Sequence, residues 1–95
     1  MLIAARQDLV EIFEHIADDN PVAARLWIQR LRQRARAAAR APAAGRMVPE
    51  LERQDVREVF LRTYRVVYRV GTKEIVILRF VEGSQQLRVD PDTDE

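Results

Sequence analysis

The feature that most constrains this chain is a change of hydrophobic period partway along it. Up to about residue 41, apolar residues recur every three or four positions; from Val56 onward they alternate or run continuously. The first spacing suits a helix with one face turned to a core, and the second suits a strand. A helical half followed by a strand half predicts an α+β fold. With 95 residues and 11.0 kDa, there is room for one small domain and not for two.

Residues 4–18 read as a first helix. Ala5, Leu9, Ile12, Phe13 and Ile16 form its apolar face, with Gln7, Asp8, Glu11, Glu14 and Asp18 opposite. Asp18-Asp19-Asn20-Pro21 breaks it. Asn20 suits an N-cap and Pro21 the first helical position, where proline's missing donor has no partner in any case. The second helix is expected over 21–41. Its stripe is Ala24, Trp27, Ile28, Leu31, Ala35 and Ala38, with Arg25, Arg32 and Arg36 on one flank and Arg30 and Arg34 on the other. Pro42 and Gly45 end it, and 45–54 reads as a connecting loop. Strands follow at 56–61, 64–70 and 75–81, turned at Arg62-Thr63 and at Gly71-Thr72-Lys73. The expected architecture is an antiparallel helical hairpin packed on a three-stranded (or larger) antiparallel sheet. It forms a single domain over 1–89, followed by an acidic C-terminal tail, 90–95, that frays.

Composition excludes several function classes. There is no cysteine, which removes disulfides, thiolate metal sites and cysteine nucleophiles and fits a reducing compartment. One histidine and three glycines do not make a histidine metal cage or a glycine-rich phosphate loop. The run Ile75-Val76-Ile77-Leu78 is far too short for a membrane span. Asp8, Glu11 and Glu14 near the start do not fit a signal peptide. The expectation is a cytoplasmic domain that acts by binding, with no cofactor, no metal and no membrane partner.

A net charge of +1 hides a strong segregation. Residues 1–19 hold five acids and one base, 20–49 hold seven arginines and no acid, and the last six residues hold four acids. Arginine presents a planar fork to carboxylate or phosphate, which points to an anionic partner. The competing reading is two solvated helix faces that attract each other. Glu11 and His15 could couple as acid and base, but no hydroxyl or thiol is placed as a nucleophile, and an exposed i,i+4 pair accounts for them. Asp8, Glu11 and Glu14 read as a solvated helix face rather than a cation site. Trp27 reads as core rather than as a base-stacking platform. On the middle strand Tyr64, Val66, Tyr68 and Val70 share one face, and Arg65, Val67 and Arg69 the other. If Val76, Leu78 and Phe80 face the helices, Arg79 faces away. An open sheet face carrying Arg57, Arg65, Arg69 and Arg79 is then a candidate surface for phosphates or carboxylates, with a plain solvated face as the alternative.

Taken in order, these segments resemble a known family. Ala5-Arg6-Gln7-Asp8-Leu9-Val10-Glu11-Ile12 with His15-Ile16-Ala17-Asp18-Asp19-Asn20-Pro21 is similar to the first-helix signature of ParE toxins. Ala23-Ala24, Ile28 and Leu31 continue it, and Pro42, Gly45-Arg46 and Val48-Pro49-Glu50 resemble the family's loop. Val56-Arg57-Glu58, Tyr64-Arg65-Val66-Val67-Tyr68-Arg69-Val70 and Ile75-Val76-Ile77-Leu78 resemble its sheet. The resemblance spans about residues 5–83 and places the chain in the RelE/ParE superfamily, on the ParE branch. It implies the toxin of a bacterial type II toxin–antitoxin module, of the kind that causes growth arrest and plasmid stabilisation. Such a toxin is neutralised by a cognate ParD-like, ribbon-helix-helix antitoxin and inhibits DNA gyrase by binding rather than by catalysis. No sequence-specific contact with nucleic acid is expected of it. Under this resemblance Arg57, Arg65, Arg69 and Arg79 are partner-binding candidates, and Arg32 and Arg36 are candidates for an acidic antitoxin segment.

The same resemblance keeps two alternatives open. RelE-like relatives cleave mRNA on the ribosome with a set of basic groups and a terminal tyrosine. Of those positions only Arg65 is kept; Val56, Glu58, Gln85 and Pro91 stand at the others. An anionic transition state would lose most of its charge stabilisation with these replacements. The other alternative is a degenerate toxin that only binds antitoxin. ParE-like chains also carry an extended strand before the first helix, where this sequence offers Met1-Leu2-Ile3. Either the start lies upstream or the sheet lacks that strand, leaving an edge that an antitoxin strand or a second copy could cover.

Overall fold

The computed structural model describes residues 1–94. Two helices, α1 (Ile3–Ala17) and α2 (Pro21–Arg40), are followed by a short 3₁₀ turn over Pro42–Ala44. Four strands then complete the chain: β1 (Arg46–Met47), β2 (Val56–Leu61), β3 (Tyr64–Val70) and β4 (Ile75–Glu82). They form one antiparallel sheet in the order β1-β2-β3-β4. The α+β hairpin-on-sheet architecture read from the periodicity is therefore the one observed. The expected loop 45–54 contains a two-residue strand that hydrophobic alternation is too short to reveal.

The helix start is set as the sequence predicts. The Asn20 side-chain oxygen accepts from the Ala23 N–H at 3.1 Å, and Pro21 opens α2. The turn between β2 and β3 is the two-residue Arg62-Thr63, with Arg62 at a left-handed φ of 52°. That conformation suits the twist of a tight hairpin and is reached here without a glycine. α1 lies against β4, and α2 against β2 and β3. Between helices and sheet lies the main core, with Leu9, Leu31, Val59, Val66, Tyr68 and Phe80 buried and Trp27 packed at its margin. Trp27 meets Tyr64 edge-on with ring centroids 5.8 Å apart, which accords with its reading as core.

Gly45 is needed where the chain enters the sheet. A Cβ there would overlap the Tyr68 hydroxyl, which donates to the Pro42 carbonyl at 2.7 Å. The aromatic ring thus ties the end of α2 to the centre of β3.

The opposite sheet face departs from expectation, since it is neither open nor solvated. Leu2, Val48, Val56, Val67, Leu78, Val81 and Leu87 form a second buried cluster there, with Leu51, Val76 and Val89 packed against it. Segments on either side of the regular elements fold across the face and close it. A register shift between Val67 and Tyr68 leaves Leu78 without a partner on β3, while Arg79 sits opposite Val67 and Ile77 opposite Tyr68. This bulge breaks the assumed alternation of β4: Ile77 and Phe80 join the helix-side core, and Val76 and Leu78 the other.

β4 is an edge strand among the described residues, and its outward groups are capped locally. The Leu2 N–H donates to the Ile77 carbonyl at 3.0 Å, and the Phe80 N–H donates to the Asp8 carboxylate at 3.0 Å. No described helix is long and apolar enough to cross a membrane.

Candidate partner-binding surface

The arginines nominated from sequence divide once their partners are located. Arg65 is 5% exposed and points into the face opposite the helices, among charges rather than solvent. Its Nε donates to Glu58 at 2.6 Å, and its two terminal nitrogens donate to Glu50 at 2.7 and 2.8 Å. Glu58 is itself 1% exposed, and its second oxygen accepts from the Arg46 Nε at 2.6 Å. Two arginines and two glutamates thus form a closed cluster. Within it the Arg65 pKa is pushed further up, chiefly by its hydrogen bonds to Glu50, and the Glu50 carboxyl is held below its ordinary range, chiefly by accepting from Arg65. Three of the five Arg65 donors are spent on carboxylates and the side chain is buried, so Arg65 is held inside the sheet face rather than presented on it.

Arg79 does not face away from the helices. Its Nε and a terminal nitrogen form a fork on the Asp8 carboxylate at 2.7 and 2.8 Å, and it also donates to the Arg88 carbonyl. Asp8, expected on the solvated side of the first helix, is 8% exposed because the bulge brings Arg79 and the Phe80 N–H to it. Arg69 donates to the Pro91 and Thr93 carbonyls and pairs with Asp94 at 2.8 Å. Arg53 pairs with Asp55 and with Asp92 at 3.0 Å. The tail expected to fray is therefore tethered over its described residues, 90–94, while Glu95 lies outside them. Arg57 is half-buried and donates to the Gly45 carbonyl at 2.9 Å.

α2 is different. Arg34 donates to the Phe60 carbonyl at 3.0 Å, and Arg30 lies over the Trp27 ring at 5.0 Å. The other flank, which carries Arg32 and Arg36, is exposed and makes no ion pair or side-chain hydrogen bond among the described residues. The acids of α1 do not pair with it, so the mutual attraction of two helix faces does not take the form of direct contacts.

A cleft of about 420 Å³ lies between α1 and the end of β4, lined by Asp8, Glu11, His15, Tyr64, Arg79 and Glu82 among others. Burial, followed by the nearby Glu82 charge, raises the Tyr64 pKa. Glu11 and His15 of α1 line this cleft while remaining exposed, as expected from the sequence, and no ion pair between them is formed. No group of three or more described His, Asp or Glu side chains is placed to hold a metal ion.

Sequence reasoning missed Glu50, Glu58, Arg46 and Asp8 as the groups that engage these arginines. Part of the signal was present. A two-residue turn at Arg62-Thr63 puts Phe60 opposite Arg65, and hence Glu58 diagonally beside it on one face. The pairing of Asp8 with Arg79, 71 positions apart, had no local signal.

Helical hairpin, four-stranded antiparallel sheet and their order agree with what the segment resemblances imply. No curated protein matches the chain. A family model described as the ParE toxin of the type II toxin–antitoxin system parDE matches residues 3–87. With all but the two ends of the chain inside that match, the chain belongs to the ParE toxin family of type II toxin–antitoxin systems.

Proposed function

We propose that this toxin inhibits DNA gyrase by binding it and trapping its cleaved-DNA state, in the bacterial cytoplasm, without catalysis of its own. Membership of the family makes it the toxin of a type II module with a cognate antitoxin; the ribbon-helix-helix, ParD-like class of that antitoxin is part of the proposal. The observation that carries the non-catalytic reading is the state of Arg65. It is the one RelE-type catalytic position kept, and Glu50 and Glu58 engage it from both sides. A phosphorane-like transition state at this position would meet guanidiniums of Arg65 and Arg46 already matched by two carboxylates, a cluster with no net positive charge to stabilise it. The domain over 1–89 carries the activity, and the acidic tail contributes by holding Arg53 and Arg69. Of the six nominated arginines, Arg32 and Arg36 are the ones exposed and unpaired among the described residues, and so the ones left free for an anionic partner.

The test is a gyrase assay with purified protein, following supercoiling and the accumulation of cleaved plasmid. Cleaved DNA is expected to rise with toxin dose and to fall when antitoxin is added. No effect at large excess would overturn the gyrase target. Ribosome-dependent mRNA cleavage abolished by Arg65→Ala would replace it with the RelE-type reading. Unchanged growth on expression of the toxin alone, with antitoxin binding retained, would identify a degenerate toxin.

A further inference from the structure

We infer that the exposed side of α2 is a sequence-independent contact surface for the phosphates of a nucleic-acid duplex. The inference does not depend on gyrase being the target. It rests on a row of side chains at helical spacing, Arg25, Gln29, Arg32, Gln33, Arg36 and Arg40, all exposed. From Arg25 to Arg40 the row covers about 22 Å of helix axis. The same length of duplex carries roughly 13 phosphate charges. None of the four arginines in the row has an acidic partner or a side-chain hydrogen bond among the described residues. Arg46, Arg53, Arg65, Arg69 and Arg79, by contrast, all do.

The row is also electrostatically unfavourable for the isolated protein. Arg32–Arg36 and Arg36–Arg40 are like charges four apart on one helix, an arrangement that opposes helix formation. No residue from 20 to 49 is acidic, so nothing on α2 relieves it. A polyanion lying along the helix would.

Two observations favour a duplex over an acidic protein segment. An amphipathic acidic peptide needs apolar anchors set in a groove, but the large apolar side chains that α2 exposes, Val22 and Leu26, stand at its N-terminal end, away from Arg32, Arg36 and Arg40. Neither the cleft beside β4 nor the shallower one at Pro42, Gln54 and Arg57 is lined by any α2 residue. The spacers within the row are also informative. Gln29 and Gln33 are uncharged amides able to donate to phosphate oxygens, which glutamine commonly contacts alongside arginine.

The experiment uses the full chain and a fluorescein-labelled 24-base-pair duplex of arbitrary sequence, read by anisotropy at several salt concentrations. Binding is expected at low salt, with log affinity falling linearly in log salt by a slope of about 0.9 per phosphate neutralised. Arg32→Gln/Arg36→Gln is expected to weaken binding roughly tenfold at low salt and to lower that slope by nearly two. The charge-matched control Arg6→Gln/Arg88→Gln alters exposed arginines outside the row and is expected to change the slope far less. A melting temperature for the α2 variant at or above that of the parent excludes misfolding. Equal losses in both double variants, or no salt-dependent binding by the parent chain, would overturn the inference. Tighter binding of a labelled glutamate-rich peptide than of the duplex would overturn it in favour of an acidic protein partner. Gyrase is absent from the assay, so the two proposals fail independently.

Discussion

The sheet and α2 carry the same residue type in opposite states. On the sheet, Arg65 is enclosed by Glu50 and Glu58, and Arg79 is forked onto Asp8. On the exposed side of α2, Arg32 and Arg36 meet no acid among the described residues. The difference lies in the supply of carboxylates. The sheet interleaves Glu58 with Arg57 and Arg65 and receives Glu50 and Asp8 from neighbouring segments, whereas α2 has no acid of its own. An arginine cluster in a sequence is therefore a candidate surface only until its anions have been located. Here Arg65 and Arg79 prove to be paired within the chain, whereas Arg32 and Arg36 are unpaired among the described residues.

The sharpest way to break the comparison is Glu58→Ala. It leaves the buried Arg65 guanidinium with Glu50 alone and releases Arg46; loss of one partner from a buried pair costs up to about 3–5 kcal/mol, the remaining Glu50 fork holding this case to the lower end. Urea denaturation should show a loss of that size. Replacing Glu58 and Arg65 together by leucine should recover much of it, because two apolar residues leave no uncompensated charge. If the double variant is as unstable as the single one, the cluster acts through something other than mutual charge satisfaction.

Asp8→Ala comes next. It removes the Arg79 fork and leaves the Phe80 N–H without its acceptor, at a cost of about 2–3 kcal/mol. Hydrogen exchange at Phe80 should rise with the loss of stability. Unchanged protection there would mean that the β4 edge is not capped by this carboxylate.

A third expectation concerns acid. The Glu50 carboxyl is held below its ordinary range by Arg65, and that of Asp55 by Arg53. For carboxyls depressed in the folded state, the stabilisation is fully present above their unfolded pKa values. It is lost as pH falls through the folded ones. Unfolding free energy should accordingly decline below about pH 4.5. Glu50→Gln should flatten that decline, as urea midpoints measured between pH 3 and pH 6 would show.

The smallest effect is expected on α2. Arg32→Gln/Arg36→Gln removes a repulsion and no contact, so calorimetry should find a melting temperature unchanged or raised by about 1–2 °C. A clear fall would reveal a partner for these arginines within the chain and erase the contrast with the sheet.

Asn20-Pro21, the stripe from Ala24 to Ala38, the Arg62-Thr63 turn and the alternation of Tyr64 to Val70 each follow from interactions within a few residues. They appear in the structure where the sequence places them. The partner surface was only half legible. Arg32 and Arg36 stand exposed because a helix periodicity puts them there and no nearby acid alters it. Arg57, Arg65, Arg69 and Arg79 looked equivalent on the strands, yet each ends against a different group. Those groups arrive from Gly45, Glu50 and Glu58, the 91–94 segment and Asp8 respectively.

The order of elements, the helix start and the core face of β3 are set by short stretches of chain, because backbone geometry repeats locally and imposes the hydrophobic period. The second core on the far sheet face, the bulge at Leu78 and the burial of Asp8 against Arg79 arise only in the assembled fold. Those outcomes depend on which distant segments converge, and a carboxylate 71 positions away leaves no imprint on local spacing. An arginine's charge is written in the sequence; whether that charge is free depends on what the fold brings to it.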